Sequence, residues 1–203
     1  LNSFSQTGEI ISVNNVYRDW LPSINLTYLL NENVNVRLGY SKTLARPEFR
    51  ELAPFSYFDF LANELVQGNP DLKRSLINNF DLRLEYFPQG GELVAVSLFY
   101  KKFNDPIEEI LTASSSNEPI RSYANAISAD NYGLELELRK SLGFISESIN
   151  NFSFVGNVTL IKSTIQLNSE NSGFQQSERP LQGQADYIFN LGLYFDDLVS
   201  GFN

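Results

Sequence analysis

The 203-residue chain contains no cysteine, no histidine and no methionine, and only one tryptophan. Without cysteine it can build neither a disulfide framework nor a thiolate metal site. Without histidine it cannot assemble a Ser-His-Asp triad, which excludes the lipase and protease chemistry that depends on one. Positive charge is scarce as well. The 15 Lys and Arg residues stand against 24 Asp and Glu, a net charge of −9, which disfavours nucleic acid phosphates as partners. The first residues, LNSFSQTGEI, lack the basic-then-apolar order of a secretory signal, and the missing initiator methionine leads us to expect a processed or excised stretch. No run approaches the roughly 18 apolar residues of a membrane-spanning helix. That last test is blind to β-barrels.

What the chain has in quantity is alternation. In NNFDLRLEYFPQGGELVAVSLFYKKF (78–103), Phe80, Leu82, Leu84 and Tyr86 alternate with Asn79, Asp81, Arg83 and Glu85. After Pro88-Gln89-Gly90-Gly91, Val94, Val96, Leu98 and Tyr100 repeat the pattern. Period two around a glycine-rich break predicts a β-hairpin. Five more segments alternate in the same way, at about 21–30, 34–44, 131–142, 151–165 and 184–195. Seven strands follow, and no segment sustains a helical period. Alternation alone leaves two architectures open. In a soluble sandwich the apolar face packs on a second sheet, whereas in an outer-membrane barrel it meets lipid.

The connections separate the two. Short links at 31–33, 88–91 and around Ile145 alternate with long ones at about 45–77, 104–130 and 166–183. Loops beyond about 12–15 residues are uncommon in compact domains. In an up-and-down sheet these would all fall on one end, as in outer-membrane barrels. By that parity Ser115 and Gly173 are expected on the cell surface and Gln89 in the periplasm. Apolar-face aromatics gather near both strand ends: Tyr28, Tyr86, Phe152 and Phe195 at one, Tyr40, Tyr100, Tyr132 and Tyr187 at the other. Two aromatic belts around an aliphatic band suit two lipid–water boundaries. The apolar face is read as free of charge. The opposite face carries Arg37, Asp81, Arg83, Glu85, Lys101, Glu135, Glu137, Arg139 and Asp186.

Five blocks in order carry a family likeness: LPSINLTYLLNENVNVRLGYSKTLARPEFRELAPFSYFDF, GNPDLKRSLINNFDLRLEYF, SLFYKKFNDPIEEI, YGLELELRKSL and RPLQGQADYIFNLGLYFDD. Together they resemble the C-terminal barrel half of TonB-dependent outer-membrane receptors, most closely those of Bacteroidetes-type bacteria. The fold expected is all-β, with antiparallel up-and-down strands forming part of a large transmembrane barrel over residues 1–203. The resemblance implies a bacterial outer-membrane transport receptor rather than an enzyme, one that takes up a scarce nutrient, first of all an iron–siderophore. Its implied partners are outer-membrane lipid, the TonB complex through a plug domain, and a small or oligomeric nutrient. No cofactor is implied. A glycan or peptide importer working with a surface lipoprotein is the second reading, and a soluble all-β carbohydrate-binding module the third. The family's plug and aromatic-terminated closing strand are not found among these residues, so a portion of a receptor is expected.

Candidate ligand contacts are few. Phe55, Tyr57, Phe58 and Phe60 lie in the longest loop and could stack on a ligand, cement the loop, or extend the outer belt. Arg46, in Arg46-Pro47-Glu48, could contact ligand at the mouth or hold the loop base where Pro47 ends pairing. Gly68-Asn69-Pro70-Asp71 reads as a turn. Glu135 and Glu137 lie about 7 Å apart on one face, a spacing glycosidase carboxylates use, but with Arg83 and Arg139 alongside they read as a solvated ladder. Glu108 and Glu109 are adjacent and point to opposite faces. No catalytic or metal site is read.

Overall fold

The computed structural model describes residues 2–4, 10–12, 16–112, 119–168 and 178–196. A short pair, β1 (Asn2–Phe4) and β2 (Ile10–Ser12), comes first. Seven long strands then form one antiparallel meander. They are β3 (Ser23–Asn31), β4 (Val34–Ala45), β7 (Ser75–Tyr86), β8 (Leu93–Asn104), β11 (Ser128–Ser141), β12 (Phe152–Gln166) and β14 (Tyr187–Phe195). Each pairs with the next in chain order. Between them lie β5 (Ser56–Asp59), β6 (Glu64–Gln67), β9 (Ile107–Thr112), β10 (Ile120–Asn125) and β13 (Glu178–Arg179). Ser115 and Gly173 lie outside the described residues.

The short turns are built from local chemistry. Asn31 Oδ1 accepts from the Asn33 N–H at 2.9 Å, and the β3–β4 register shifts between Leu29 and Asn31. Gly91 closes the β7–β8 turn at φ +83°, a conformation glycine adopts without steric cost. Between β11 and β12 the chain makes two 3₁₀ turns, Leu142–Phe144 and Glu147–Ile149, with Ser141 and Ser146 as their caps.

The register sets like on like across the sheet. One row reads Leu26, Leu38, Leu82, Leu98, Leu134, Leu160 and Tyr187. Among the described residues nothing covers it, for Leu26 is 60% and Leu98 50% exposed. A contiguous apolar surface of this extent marks contact with lipid or protein. The soluble-sandwich alternative needs a second sheet here, and the surface sheet described below instead continues the long connections.

On the other face the next row reads Arg37, Arg83, Ser97, Glu135 and Thr159. Two arginines directly opposite each other would repel. Glu85, one row away and only 6% exposed, bridges them. It accepts from Arg37 Nε at 2.8 Å and from Arg83 Nε at 2.9 Å. Arg83 also reaches Glu137 Oε2 at 2.7 Å and Ser97 Oγ at 3.1 Å. Arg37, Glu85, Arg83 and Glu137 are therefore one connected network rather than independent solvated charges.

One expectation fails. The apolar face is not free of charge: the register puts Lys42, Lys102 and Lys162 on it towards the long connections, and Lys140 towards the short ones. All lie at its margins, where the alternation continues in parity but changes in chemistry.

Candidate functional site

The first two long connections are not open loops. β5 and β6 form a hairpin, β9 and β10 form another, and the two join as a four-stranded surface sheet ordered β5-β6-β10-β9. The turn of the first hairpin is shaped by Asp59, whose Oδ1 accepts from the N–H groups of Leu61 at 2.9 Å and Ala62 at 3.2 Å. Asn63 completes it at φ 55°, a left-handed conformation Asn tolerates better than most residues.

Only one backbone pair, Val66 with Arg121, joins the hairpins, in parallel. Side chains carry the rest. The Arg121 guanidinium sits within 3.1 Å of Asp59, 3.0 Å of Glu64 and 3.4 Å of Glu109. Asn69 Nδ2 donates to the Tyr123 carbonyl at 2.9 Å. Asn125 Oδ1 accepts from the Lys73 N–H at 2.8 Å, and its Nδ2 donates to the carbonyls of Lys73 and Asp105. The third connection is tied on through Arg179, 2.9 Å from Glu108, and through Gln182 Nε2, which donates to Glu109 Oε2 at 2.9 Å. Glu108 and Glu109 thus both reach the third connection, and Glu109 also meets Arg121 within its own.

Burial and polar contacts set the protonation of this assembly. Burial pushes the Glu108 carboxyl up, against the lowering pull of Arg179. The backbone N–H groups of Ala62 and Leu61 hold Asp59 below its ordinary range, with Arg121 adding to them. Burial, then the hydrogen bond with Tyr57, pushes Tyr123 up to about 12.

The four loop aromatics divide. Tyr57 is half-buried and bonded to Tyr123. Phe55 and Phe58 are exposed, Phe60 is 87% exposed at the hairpin tip, and the neighbouring Leu61 is fully exposed. Phe58 and Phe60 meet edge to face, with ring centroids 5.2 Å apart. Arg46 is elsewhere, lining a cavity of about 380 Å³ with Val16, Tyr17, Pro47, Leu52, Leu72 and Arg74. Arg74 is neutralised by Asp19 and stacks 4.0 Å over Tyr17. The described lining of that cavity includes none of the four aromatics.

Gly68-Asn69-Pro70-Asp71 is more than a turn. A Cβ on Gly68 would meet the Ala53 carbonyl oxygen at 2.3 Å, so only glycine fits. Asn69 Oδ1 accepts from the Asp71 N–H while its amide reaches across to the second connection. Arg121, Tyr123 and Asn125 escape a reading by motif, because IRSYAN carries no signature.

A family described as "TonB dependent receptor-like, beta-barrel" matches residues 2–203. The chain belongs to this family. An uncovered leucine face on one side and a charged network on the other suit the wall of such a barrel. Solved structures agree on the fold. The siderophore receptor PirA from Pseudomonas aeruginosa shares 20% identity at a TM-score of 0.58, over 74% of this chain and 31% of that one. A ferric enterobactin receptor mutant from the same organism, in complex with enterobactin, shares 21% identity at a TM-score of 0.61, over 87% and 26%. PirA from Acinetobacter baumannii shares 15% identity at a TM-score of 0.51, over 86% and 34%. The chain thus spans about a quarter to a third of these structures. A search of curated proteins finds no match.

Proposed function

We propose that this chain forms wall and mouth of a bacterial outer-membrane transport receptor, not an enzyme, that captures an iron–siderophore and is energised through TonB. Further strands of the same receptor complete the barrel and pair with the outer edges of β3 and β14, since unpaired backbone is costly in hydrocarbon. One observation carries the substrate reading: an uncovered aromatic tip, Phe58 and Phe60 with Phe55 nearby, held on a braced surface sheet. Rigid rings present large apolar area with little rotamer entropy to lose. Solved relatives named as siderophore receptors support the choice of ligand.

The test compares two variants of the intact receptor. Replacing Phe55, Phe58 and Phe60 with Ala is expected to weaken ferric-siderophore binding by about tenfold or more, with abundance in the membrane unchanged. Tyr57→Phe, which removes only a hydroxyl bonded to Tyr123, is expected to leave affinity near the parent value. Unchanged affinity in the triple variant at normal abundance overturns the assignment of these rings.

A further inference from the structure

The rings at the tip are neutral, but their footing is not. Asp59 stands between Phe58 and Phe60 in the chain and pairs with Glu64 across the base of the tip turn. The tip hairpin, residues 56–67, carries these two acids and no base. Glu109 joins them from the neighbouring hairpin, and all three carboxylates converge on the single guanidinium of Arg121. One positive charge against three negative leaves an excess of two negative charges beneath the rings. Each of those carboxylates is 31–33% exposed, so their field reaches the water in front of the tip. The backbone N–H groups of Ala62 and Leu61 hold the Asp59 carboxyl below its ordinary range, and it stays charged at neutral pH.

Among the described residues no spare cation offsets this excess at the tip. Arg179 is taken by Glu108 and Arg74 by Asp19. Arg46, Arg50 and Lys73 are exposed and without an ion-pair partner among the described residues, but all three lie outside the tip hairpin. Over the described connections, residues 46–74, 105–112, 119–127 and 178–186, six Lys and Arg stand against ten Asp and Glu. The acidity of the tip is therefore continued by the connections around it.

Ferric complexes differ in charge through the chemistry of their chelating arms. Three singly charged hydroxamates cancel the charge of Fe(III), whereas three doubly charged catecholates leave a trianion. We propose that the aromatic tip selects neutral ferric complexes of the trihydroxamate kind and rejects trianionic triscatecholates. The proposal deepens the siderophore reading above and rests on it. Rings give either ligand apolar contact, and the charge beneath them discriminates by repulsion. A trianion on the rings, roughly 10 Å from two excess negative charges, is disfavoured by about tenfold or more at low salt.

The test uses the intact receptor in bilayers and one synthetic tripodal scaffold carrying either three hydroxamate or three catecholate arms around Fe(III). Affinities for both complexes are measured at about 10 mM and about 1 M salt. At low salt the neutral complex is expected to bind at least about tenfold more tightly than the trianion, and the gap to shrink severalfold at high salt. In Glu64→Gln the ratio of the two affinities is expected to move severalfold towards the trianion at low salt. A trianion bound as tightly as the neutral complex, or more tightly, overturns the proposal and leaves the siderophore reading standing. So does a preference for the neutral complex that responds neither to salt nor to Glu64→Gln, because shape rather than charge would then be selecting. Binding of neither complex, nor of a natural ferric siderophore of either kind, overturns the siderophore reading itself, and this proposal falls with it.

Discussion

The barrel wall and the surface sheet are both antiparallel β structure, yet they are held together by different means. In the wall, β11 pairs with β12 over 14 consecutive residues and with β8 over 12. On the surface, a single backbone pair joins β6 to β10, and Arg121, Asn69 and Asn125 supply the rest. The wall is thus a property of pattern, in which many equivalent positions share the work. The surface sheet is a property of individuals, in which one guanidinium collects three carboxylates. A mutation in the wall should therefore act by the face on which it falls, and one in the surface sheet by the contact it removes.

Leu84→Arg tests the wall most severely. It places a charge on the lipid face beside Val36 and Val96 and is expected to cost roughly 2–4 kcal/mol of barrel stability if near the midplane, measured by urea titration of the intact receptor in bilayers. Arg83→Leu, one residue away on the inner face, sharpens the contrast. Alternation alone suggests near-neutrality there. The structure instead removes bonds to Glu85, Glu137 and Ser97, leaving the buried Glu85 with Arg37 only, for an expected loss of about 1–3 kcal/mol. If Arg83→Leu proves clearly the more damaging of the two, the inner and outer faces have been confused.

For the surface sheet, Arg121→Gln is expected to leave the unfolding midpoint of the barrel within about 0.5 kcal/mol of the parent. Hydrogen exchange over residues 56–67 and 107–125 should nevertheless rise severalfold. A matching loss of global stability would show that wall and surface sheet unfold as one unit.

Acid should act more gently still. Asp59 is held below its ordinary range when folded, so its contribution is full above the unfolded value and fades as pH falls through the folded one. Glu108 runs the other way. Its folded value is raised by burial, so the penalty of its charged form appears as pH rises through that value. Exchange at the Leu61 and Ala62 amides is expected to accelerate on acidification once intrinsic rates are divided out. The Asp59→Asn variant should flatten that response.

How much of this was legible in the sequence follows the same division. Phe80, Leu82, Leu84 and Tyr86 announce a strand whatever they pair with, because period two is written within the segment. β6 has only four residues, and its partner on β10 is more than 50 positions away, at Val66 and Arg121. Nothing local in ELVQ or IRSYAN records that meeting. The same holds for the aromatic loop, where spacing could not tell Tyr57, turned towards Tyr123, from Phe60 at the tip. The lysines at the strand ends are hidden for a simpler reason: Lys42 and Lys162 keep the parity of their strands but not the chemistry of their neighbours.

The join between the surface connections also has a consequence for the water in which the molecule lives. It is made largely of partly exposed charges, Arg121 with Asp59, Glu64 and Glu109, beside the more buried pair of Arg179 with Glu108. Screening shortens the reach of such charges from about 10 Å at 0.1 M salt to about 3 Å at 1 M. The leucine row feels no such change. The join between these connections is therefore stiffer in fresh water than in brine, while the leucine row is the same in both.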